Sequence, residues 1–450
     1  MPRYFHETLT ASEMDRRGAL LRTALDEVLA AAAWSKDQLR DQQLTRLQSL
    51  VRSAYDELSF YRNKYQAVNF HPDQLQSLAD LQRVPIVTKD ELRRADLFRL
   101  APSAESIGVR LLASSGSTGS ALRIFRDETS LWRITAFNTM LYYDWCHEHP
   151  LADVLYCVDM ATDSIDFALA DMLRTLAPEE RLLPVTAAPS ELVAALDDFQ
   201  PTYFSSYPST LRSMAMELDR RGRVCQRLKL AHVTSEMLDA HTRRLAARVF
   251  PNARVIETYT STEAGIMGYQ CPQSNRWHLV EPQVIPEIVD DHGQPTDELG
   301  RLVVTDLTNR ATPIIRYAGL GDLCRWDHRS CPCGTTNRSL AQLAGRVADL
   351  IVRPDGQTVS PYVVANALEE LAGVYQYQIT QRTVTEFTVV IVRQPSYAAS
   401  DDALRSAVAN CLREALQFDV QCSVQLVEVI APRVGAHKIP LVVSHVPRPV

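Results

Sequence analysis

The sequence predicts an α/β fold, and three patterns along its 450 residues support that class. From about residue 151 to 260, short apolar runs alternate with helical patterns, as in a parallel sheet with crossover helices. From 276 to 345, short strand patterns separated by turns predict a β subdomain. After 345 the composition changes, and residues 350–450 combine two helical patterns with two strand patterns, which predict a small α+β domain.

These patterns predict a large N-terminal domain over 1–345, a mobile C-terminal domain over 350–450 and a hinge near 346–349. A chain of this length can bury cores for two or three domains. Apolar residues recur at three- and four-residue spacing within 8–66, so we expect helix in that stretch. Thr88, followed three residues later by Glu91, predicts a capped helix start.

The composition restricts the class of partner. A net charge of −7 and a pI near 5.9 argue against nucleic acid, because phosphate backbones require concentrated basic residues. We expect no membrane contact and a cytoplasmic protein, since no apolar run of signal-peptide or bilayer length is evident. Nine cysteines, an odd number, do not indicate a disulfide framework.

A run of small and hydroxyl-bearing residues lies between two strand patterns, at 109–113 and 121–125. Glycines allow close approach of the backbone to a ligand, and N–H groups with hydroxyls offer donors to an anion. The run therefore predicts a phosphate-binding loop, although a flexible hairpin turn is the alternative. It is not a Walker A loop, because no lysine follows the second glycine. The residues are Ser114, Ser115, Gly116, Ser117, Thr118, Gly119 and Ser120.

Four later segments carry polar residues suited to a nucleotide. Tyr259, Thr262 and Glu263 follow the strand pattern 254–258, at an edge where α/β proteins bind ligands, and a glutamate there suits Mg²⁺. Asp322 follows a glycine turn and suits ribose hydroxyls. The segment 345–349 and the segment 435–440, which contains Lys438, complete the set. Each alone is more often a solvated surface feature.

Taken in order, these segments resemble the adenylate-forming superfamily and, within it, the phenylacetate–CoA ligase-like family. The resemblance rests on Ser-Ser-Gly-Ser-Thr-Gly at 114–119, Tyr-x-x-Thr-Glu at 259–263, and an Arg-Tyr…Gly-Asp that ends at Asp322. Ser-Tyr-Pro-Ser at 206–209 and the region of Glu236 are similar as well. The match extends along nearly the whole chain and implies the acyl-adenylate-forming fold.

The resemblance implies a two-step reaction, in which a carboxylate first attacks the α-phosphate of Mg-ATP and a thiol then takes the acyl group. It places the β- and γ-phosphates on residues 114–119, and the α-phosphate and Mg²⁺ on Thr262 and Glu263. It also places Tyr259 near the adenine and Asp322 at the ribose hydroxyls. Arg346 would lie beside the nucleotide, and Asp349 would be the pivot of the C-terminal domain. Lys438 matches the catalytic lysine. The substrate pocket of such enzymes lies by the segment that contains Ser235 and Glu236.

Two departures from the family pattern keep a further alternative open. Ser120 stands where relatives carry Gly-Lys or Gly-Glu-Pro, and Lys438 is preceded by His437 instead of glycine. A degenerate ATP-binding scaffold is therefore an alternative to an active enzyme. Lys438 is nevertheless the only lysine after Lys229, so it is the one candidate for the catalytic lysine.

A cysteine-rich turn predicts a second kind of site. Cys331 and Cys333 form a tight pair, and Cys271 and His278 lie upstream. Three thiolates and one imidazole make a closed, structural zinc site, and some family members look similar at these segments. Reduced turn thiols and a surface histidine are the alternative.

The acid substrate is an aryl or small organic acid by the same resemblance. Tyr142, Tyr143 and Trp145 could line its pocket or simply pack the core. The thiol acceptor is coenzyme A in the leading interpretation. A stand-alone biosynthetic adenylation enzyme, which loads a phosphopantetheinyl carrier protein or forms an amide, is the other active alternative. A homodimer stays open.

Overall fold

A computed structural model describes residues 10–95, 108–114, 122–146, 153–158, 160–175, 179–274, 276–346, 350–369, 371–394, 397–430 and 440–447. Its N-terminal part is helical, as predicted, but is divided into α1 (Ala11–Ala32), α2 (Lys36–Glu57) and α3 (Ser59–Ala67). The first break occurs because the Ser35 side chain accepts from the backbone N–H of Gln38 and begins a new helix. The second occurs at Leu58, whose backbone is extended.

The capped helix start predicted at Thr88 is confirmed. Helix α4 (Lys89–Arg94) begins there, and Thr88 and Glu91 exchange side-chain and backbone hydrogen bonds in a capping box. Val87, just before the cap, pairs with Tyr317 and so attaches this segment to the main body of the protein.

A two-stranded antiparallel hairpin carries the predicted phosphate-binding loop. Strand β1 (Val109–Ala113) pairs with β2 (Arg123–Asp127), and Ser114 and Leu122 join its ends through two hydrogen bonds of 2.8 and 2.9 Å. Residues 115–121 lie outside the described part of the chain. Helix α5 (Glu128–Cys146) follows directly, because Asp127 accepts from the backbone N–H of Ser130 and so caps its first turn.

One eleven-stranded sheet forms the centre of the fold. Its strand order is β10-β11-β12-β13-β9-β8-β7-β6-β5-β3-β4. The strands are β3 (Asp153–Val158), β4 (Glu179–Pro184), β5 (Tyr203–Ser206), β6 (Leu230–Thr234), β7 (Arg254–Ser261), β8 (Gly265–Gln270), β9 (Trp277–Leu279), β10 (Val284–Val289), β11 (Gly300–Asp306), β12 (Asp322–Asp327) and β13 (Ser339–Arg346).

The first five of these strands, β3 to β7, pair in parallel, as the alternating pattern predicts. The helices between them are α6 (Ile165–Leu173), α7 (Pro189–Phe199), α8 (Pro208–Arg220) and α9 (Ala240–Val249). Helix α9 begins only at Ala240, although the residues before it directly follow β6. The reason is that Asp239 caps it and Ser235 has a positive φ of 70°.

The strands predicted as a β subdomain are present, but they continue the same sheet. From β7 onward every pairing is antiparallel, through β8 and β9 to β13, β12, β11 and β10. The sheet is therefore mixed, and the predicted nucleotide segments lie near its change of strand direction. This arrangement confirms the α/β class with a large mixed sheet.

The C-terminal residues form a separate four-stranded sheet, β18-β17-β16-β19, with two helices against it. The elements are α10 (Pro361–Glu369), β16 (Val374–Gln381), β17 (Glu386–Arg393), α11 (Asp401–Leu416), β18 (Gln421–Val427) and β19 (Val442–Ser444), after a short ladder of β14 (Ile351–Val352) and β15 (Thr358–Val359). The sequence patterns missed β16. Tyr375, Val392 and Ile430 share a buried apolar cluster with α8 and α9. Among the described helices, none combines the length and apolar character that a bilayer span requires.

Candidate active site

The Tyr-x-x-Thr-Glu motif forms the turn between β7 and β8. Thr262 and Glu263 lie between the last residue of β7 and Gly265, which has a φ of +66°, where a side chain would be strained. The Ser261 hydroxyl accepts from the backbone N–H of Ala264 at 2.9 Å and tightens the turn. Thr262 and Glu263 are only 8% and 5% exposed, so neither is the solvated surface residue that the alternative interpretation required.

A buried ion pair holds this turn from behind. The Arg126 guanidinium is 2.9 Å from a carboxylate oxygen of Asp306, and both side chains are fully buried. The same guanidinium nitrogen donates to the carbonyl oxygens of Glu263 at 2.9 Å and Thr262 at 3.4 Å. The sequence patterns did not identify Arg126 or Asp306, because nothing local distinguishes them from other charged residues in strands.

The Glu263 carboxylate is available to a cation. Its Oε1 accepts from the Tyr317 hydroxyl at 3.4 Å, while Oε2 has no hydrogen-bond partner among the described residues. Burial, and then the adjacent Glu263 charge, raise the pKa of Tyr317, so this phenol stays a neutral donor. A buried carboxylate with one unengaged oxygen fits a hard cation such as Mg²⁺.

Two predicted nucleotide residues come into direct contact. The Tyr259 hydroxyl donates to the Asp322 carboxylate, although the two residues lie 63 positions apart in the chain. Asp322 begins β12 immediately after Gly321, whose φ is +73°. The Tyr259 ring lies edge-on to Trp277, with ring centroids 6.2 Å apart. The Tyr259 hydroxyl thus holds the Asp322 carboxylate beside the Tyr259 ring. The predicted ribose and adenine contacts require this combination of a carboxylate and an aromatic ring.

The other predicted site residues are placed unevenly. Ser114 is buried at the base of the hairpin loop. Ser235 has left-handed backbone geometry, and the Glu236 carboxylate accepts from the backbone N–H of Ser209 at 2.9 Å, at the first turn of α8. Arg346 is the last residue of β13, and its side chain is not among those described. Residues 115–120, Asp349 and Lys438 lie outside the described residues.

The aromatic residues predicted near the acid differ in position. Tyr142 is fully buried and hydrogen-bonds through its hydroxyl to Tyr203 at 2.8 Å, whereas Tyr143 is 40% exposed. The Trp145 side chain is not described. Tyr142 therefore packs in the core, which is the alternative to lining the pocket that the sequence left open.

A buried histidine that sequence reasoning missed lies between neighbouring strands. His232 on β6 lies 3.1 Å from the Ser205 hydroxyl and 2.8 Å from the Thr258 hydroxyl, on β5 and β7. Burial lowers its pKa to about 4, so the imidazole is neutral at pH 7. Thr258 directly precedes Tyr259, so this hydrogen-bonded chain supports the base of the candidate site. No spacing signal marks His232, because its partners come from other strands.

The four predicted zinc ligands come together. The ligand atoms of Cys271, His278, Cys331 and Cys333 all lie within 4.8 Å of one another. Cys271 follows β8, His278 lies in β9, and the two other cysteines lie in the turn between β12 and β13. Strand pairing explains the cluster, because β13 pairs with β9 and sets Ser339 opposite His278.

The geometry of this cluster fits a tetrahedral ion. The sulfur atoms of Cys271 and Cys331 are 3.5 Å apart, and Cys333 Sγ is 3.2 Å from His278 Nε2. Zinc–sulfur bonds near 2.3 Å imply tetrahedral edges of about 3.8 Å. The Ser339 hydroxyl is 2.9 Å from His278 Nδ1, which leaves Nε2 for a metal. Burial opposes ionisation of Cys331, but hydrogen bonds, first with Ser274, lower its pKa to about 7.

Comparisons with known proteins find similar sequences and similar folds. No protein-family model matches the chain. The chain is 28% identical over 370 residues to the phenylacetate-coenzyme A ligase of Thermus thermophilus, which covers 77% of this chain and 79% of that enzyme. It is 27% identical over 383 residues to the phenylacetate-coenzyme A ligase of Escherichia coli, with 81% and 83% covered.

Solved structures show the same fold. A 2-hydroxyisobutyryl-CoA ligase in its postadenylation state, bound to an acyl-AMP named R3-HIB-AMP, gives a TM-score of 0.74 at 22% identity, over 92% of this chain and 90% of that one. The same ligase in its thioesterification state, bound to 2-HIB-AMP and CoA, gives 0.60 at 20% identity, over 99% and 95%. The chain is thus similar in sequence to phenylacetate-coenzyme A ligases and has the fold of a solved 2-hydroxyisobutyryl-CoA ligase.

Proposed function

We propose that this protein activates a carboxylic acid with ATP and transfers the acyl group to the thiol of coenzyme A. The observation that carries the proposal is the hydrogen bond from Tyr259 to Asp322 beside the buried turn that holds Thr262 and Glu263. It brings together, from distant parts of the chain, the residues that a nucleotide would need. The ligases similar to this chain act on phenylacetate or bind acyl-AMP and CoA.

The proposed reaction has two balanced steps. An oxygen of the acid attacks the α-phosphorus of ATP, a new P–O bond forms, and pyrophosphate leaves with the electrons of the broken bond. The thiol of coenzyme A, as its thiolate, then attacks the acyl carbon, and AMP leaves. Positioning and electrostatic stabilisation supply most of the rate acceleration for displacements of this kind.

The residue roles in this proposal are those that the resemblance implies, and the contacts of the described side chains support them. Asp322 takes the ribose hydroxyls while Tyr259 orients its carboxylate and faces the adenine. The Thr262 hydroxyl and the Glu263 carboxylate face the α-phosphate, and residues 114–119 take the β- and γ-phosphates. Mg²⁺, held by Glu263, would neutralise phosphate charge. Its fit rests on the unengaged Oε2 of a buried carboxylate.

The C-terminal residues supply the remaining groups in this proposal. Lys438 bridges the carboxylate and phosphate as negative charge develops, and Arg346 lies beside the nucleotide. We place the domain boundary at 346–349, so that residues 350–450 move relative to residues 1–345 between the two steps. The four-stranded sheet with its own core supports treating 350–450 as a unit.

Zinc enters the proposal as a structural ion. Cys271, His278, Cys331 and Cys333 would fill all four positions of a tetrahedral ion, so no position is left for water or substrate. The site ties the end of β8 and strand β9 to the β12–β13 turn, close to Trp277 and hence to Tyr259. Zinc would therefore stabilise this edge of the nucleotide site without taking part in the chemistry.

Pyrophosphate exchange with a panel of aryl and small aliphatic acids tests the proposal. We expect acid-dependent ATP–pyrophosphate exchange, and its absence with every acid would favour the degenerate scaffold. The Lys438→Ala variant should lose exchange while it keeps ATP binding, and Lys36→Ala, an exposed lysine in α2, is the matched control. Pyrophosphate release at the wild-type rate from Lys438→Ala would refute the assignment of this lysine.

The acceptor needs a second assay. Addition of coenzyme A to an active acid should give a free thioester and AMP. If only a phosphopantetheinylated carrier protein or an amine accepts the acyl group, the carrier-loading or amide-forming alternative is correct and coenzyme A is not the acceptor.

A further inference from the structure

A cavity of about 270 Å³ lies away from the predicted nucleotide residues. Helix α2, the start of α5 and the segment after β11 enclose it. Three arginines, one from each of these elements, line it together with an aspartate, two threonines and two leucines. These residues are Arg46, Arg133, Arg310, Asp127, Thr129, Thr308, Leu50 and Leu307.

The positive charges in this cavity are only partly balanced. Arg133 forms an ion pair of 2.7 Å with Glu27. In the described part of the chain, neither Arg46 nor Arg310 has a carboxylate within ion-pair distance. The Asp127 carboxylate is engaged elsewhere, because it accepts from the backbone N–H groups of Ser130 at 2.7 Å and Arg310 at 2.8 Å. Two guanidinium groups therefore line the cavity without an ion pair of their own among the described residues, although the Asp127 carboxylate lies in the same lining.

The Arg46 guanidinium lies in a partly buried position that disfavours its positive charge. Arg46 donates to the Pro282 carbonyl at 3.0 Å, and its guanidinium lies 5.8 Å from the centre of the Trp34 ring. Burial first, and then the positive charge of Arg133, lower the pKa of Arg46, and the Glu27 carboxylate opposes this shift in part. The partly buried Arg46 guanidinium therefore carries an electrostatic cost that a bound anion would reduce.

We propose that this cavity binds a phosphate monoester, with Arg46 and Arg310 as its charged ligands. The two guanidinium groups, neither of which forms an ion pair in the described part of the chain, match the two charges of a phosphate monoester near neutral pH. Guanidinium groups bind phosphate oxygens in pairs, with a geometry that lysine lacks. The buried side chains of Leu50 and Leu307 provide an apolar wall for the organic part of the ligand.

The wall of the cavity is connected to the candidate active site. The backbone N–H and hydroxyl of Thr308 donate to Asp306 at 2.8 and 2.6 Å. Asp306 in turn pairs with Arg126, which holds the Glu263 carbonyl. The ligand is therefore either the 3′-phosphate end of coenzyme A, an identity that rests on the proposed function, or a free phosphate ester.

Isothermal titration calorimetry with four probes tests the site: inorganic phosphate, glycerol 3-phosphate, coenzyme A and 3′-dephospho-coenzyme A. Arg46→Gln and Arg310→Gln should each weaken binding of a phosphate monoester by about tenfold or more, because each removes a charged ligand. Arg405→Gln is the matched control. It removes an arginine of α11 that pairs with Asp402 and does not line the cavity.

The outcomes separate the two sources. Arginine-dependent binding of coenzyme A, lost with the dephospho form, identifies the 3′-phosphate. Arginine-dependent binding of glycerol 3-phosphate identifies a free ester. Because Arg310 is exposed, its variant should unfold at the wild-type temperature even if Arg46→Gln does not. Wild-type binding of all probes by both variants, or no binding by the wild type, would overturn the proposal whether or not pyrophosphate exchange is observed.

Discussion

Replacement of Asp306 by asparagine should destabilise this protein more than almost any other single change to a charged residue. Asp306 and Arg126 are both fully buried and lie 2.9 Å apart. Asparagine keeps the shape of the side chain and can still accept from Thr308, as Asp306 does. The substitution removes the negative charge and replaces the oxygen that accepts from Arg126 with an NH2 donor, so the Arg126 guanidinium is left buried without a counter-ion.

The expected loss follows from the cost of an uncompensated buried charge. Removal of one partner of a buried ion pair costs about 3–5 kcal/mol in the free energy of unfolding. Arg126→Met should cost a similar amount, because it leaves the Asp306 carboxylate unpaired and frees the Glu263 carbonyl. The double variant removes both charges, so its loss should be well below the sum of the two single losses.

Urea unfolding, followed by circular dichroism, measures the four members of this cycle. Asp402→Asn, which breaks an exposed pair with Arg405, is the control and should unfold at the wild-type urea concentration. A loss below about 1 kcal/mol for Asp306→Asn, or strictly additive losses in the double variant, would refute the reasoning. Pyrophosphate exchange should fall in Arg126→Met, because the turn that holds Glu263 loses its anchor.

Three further predictions concern the site and its supports. Asp322→Asn should raise the KM for ATP about 10- to 100-fold, because it weakens charge-assisted hydrogen bonds to the ribose. Initial rates at varied ATP concentration measure this KM, and an unchanged value would contradict the ribose assignment. The pKa of His232 is about 4 in the fold and 6.5 when unfolded, so its contribution to stability is present above pH 6.5 and lost as the pH falls. Wild type should therefore lose about 2 kcal/mol more than His232→Gln between pH 7 and pH 5 in urea unfolding, and parallel pH profiles would contradict this. Elemental analysis of the purified wild type should find about one equivalent of zinc, and less than about half an equivalent would count against the site. The Cys331→Ser variant should lose this zinc, and the control variant Cys225→Ser should keep it.

Much of the fold follows from local patterns in the sequence. The alternation of apolar runs and helical patterns predicts the parallel strands β3 to β7, and the Thr88 capping box predicts the start of α4. These features depend on residues within a few positions of one another, so periodicity and capping chemistry are enough to find them. The order of motifs also indicated the similarity to CoA ligases that the comparisons found, because each motif is a short segment.

The supports of the candidate site were decided by tertiary structure. Arg126 meets Asp306 across 180 residues, and His232 finds its partners on two neighbouring strands. The zinc ligands were suggested by residue type, but only the pairing of β13 with β9 brings His278 beside the cysteine turn. Strand order sets these contacts. Strand order depends on how whole faces of the sheet bury their apolar surface, and the spacing of residues within one segment does not determine it.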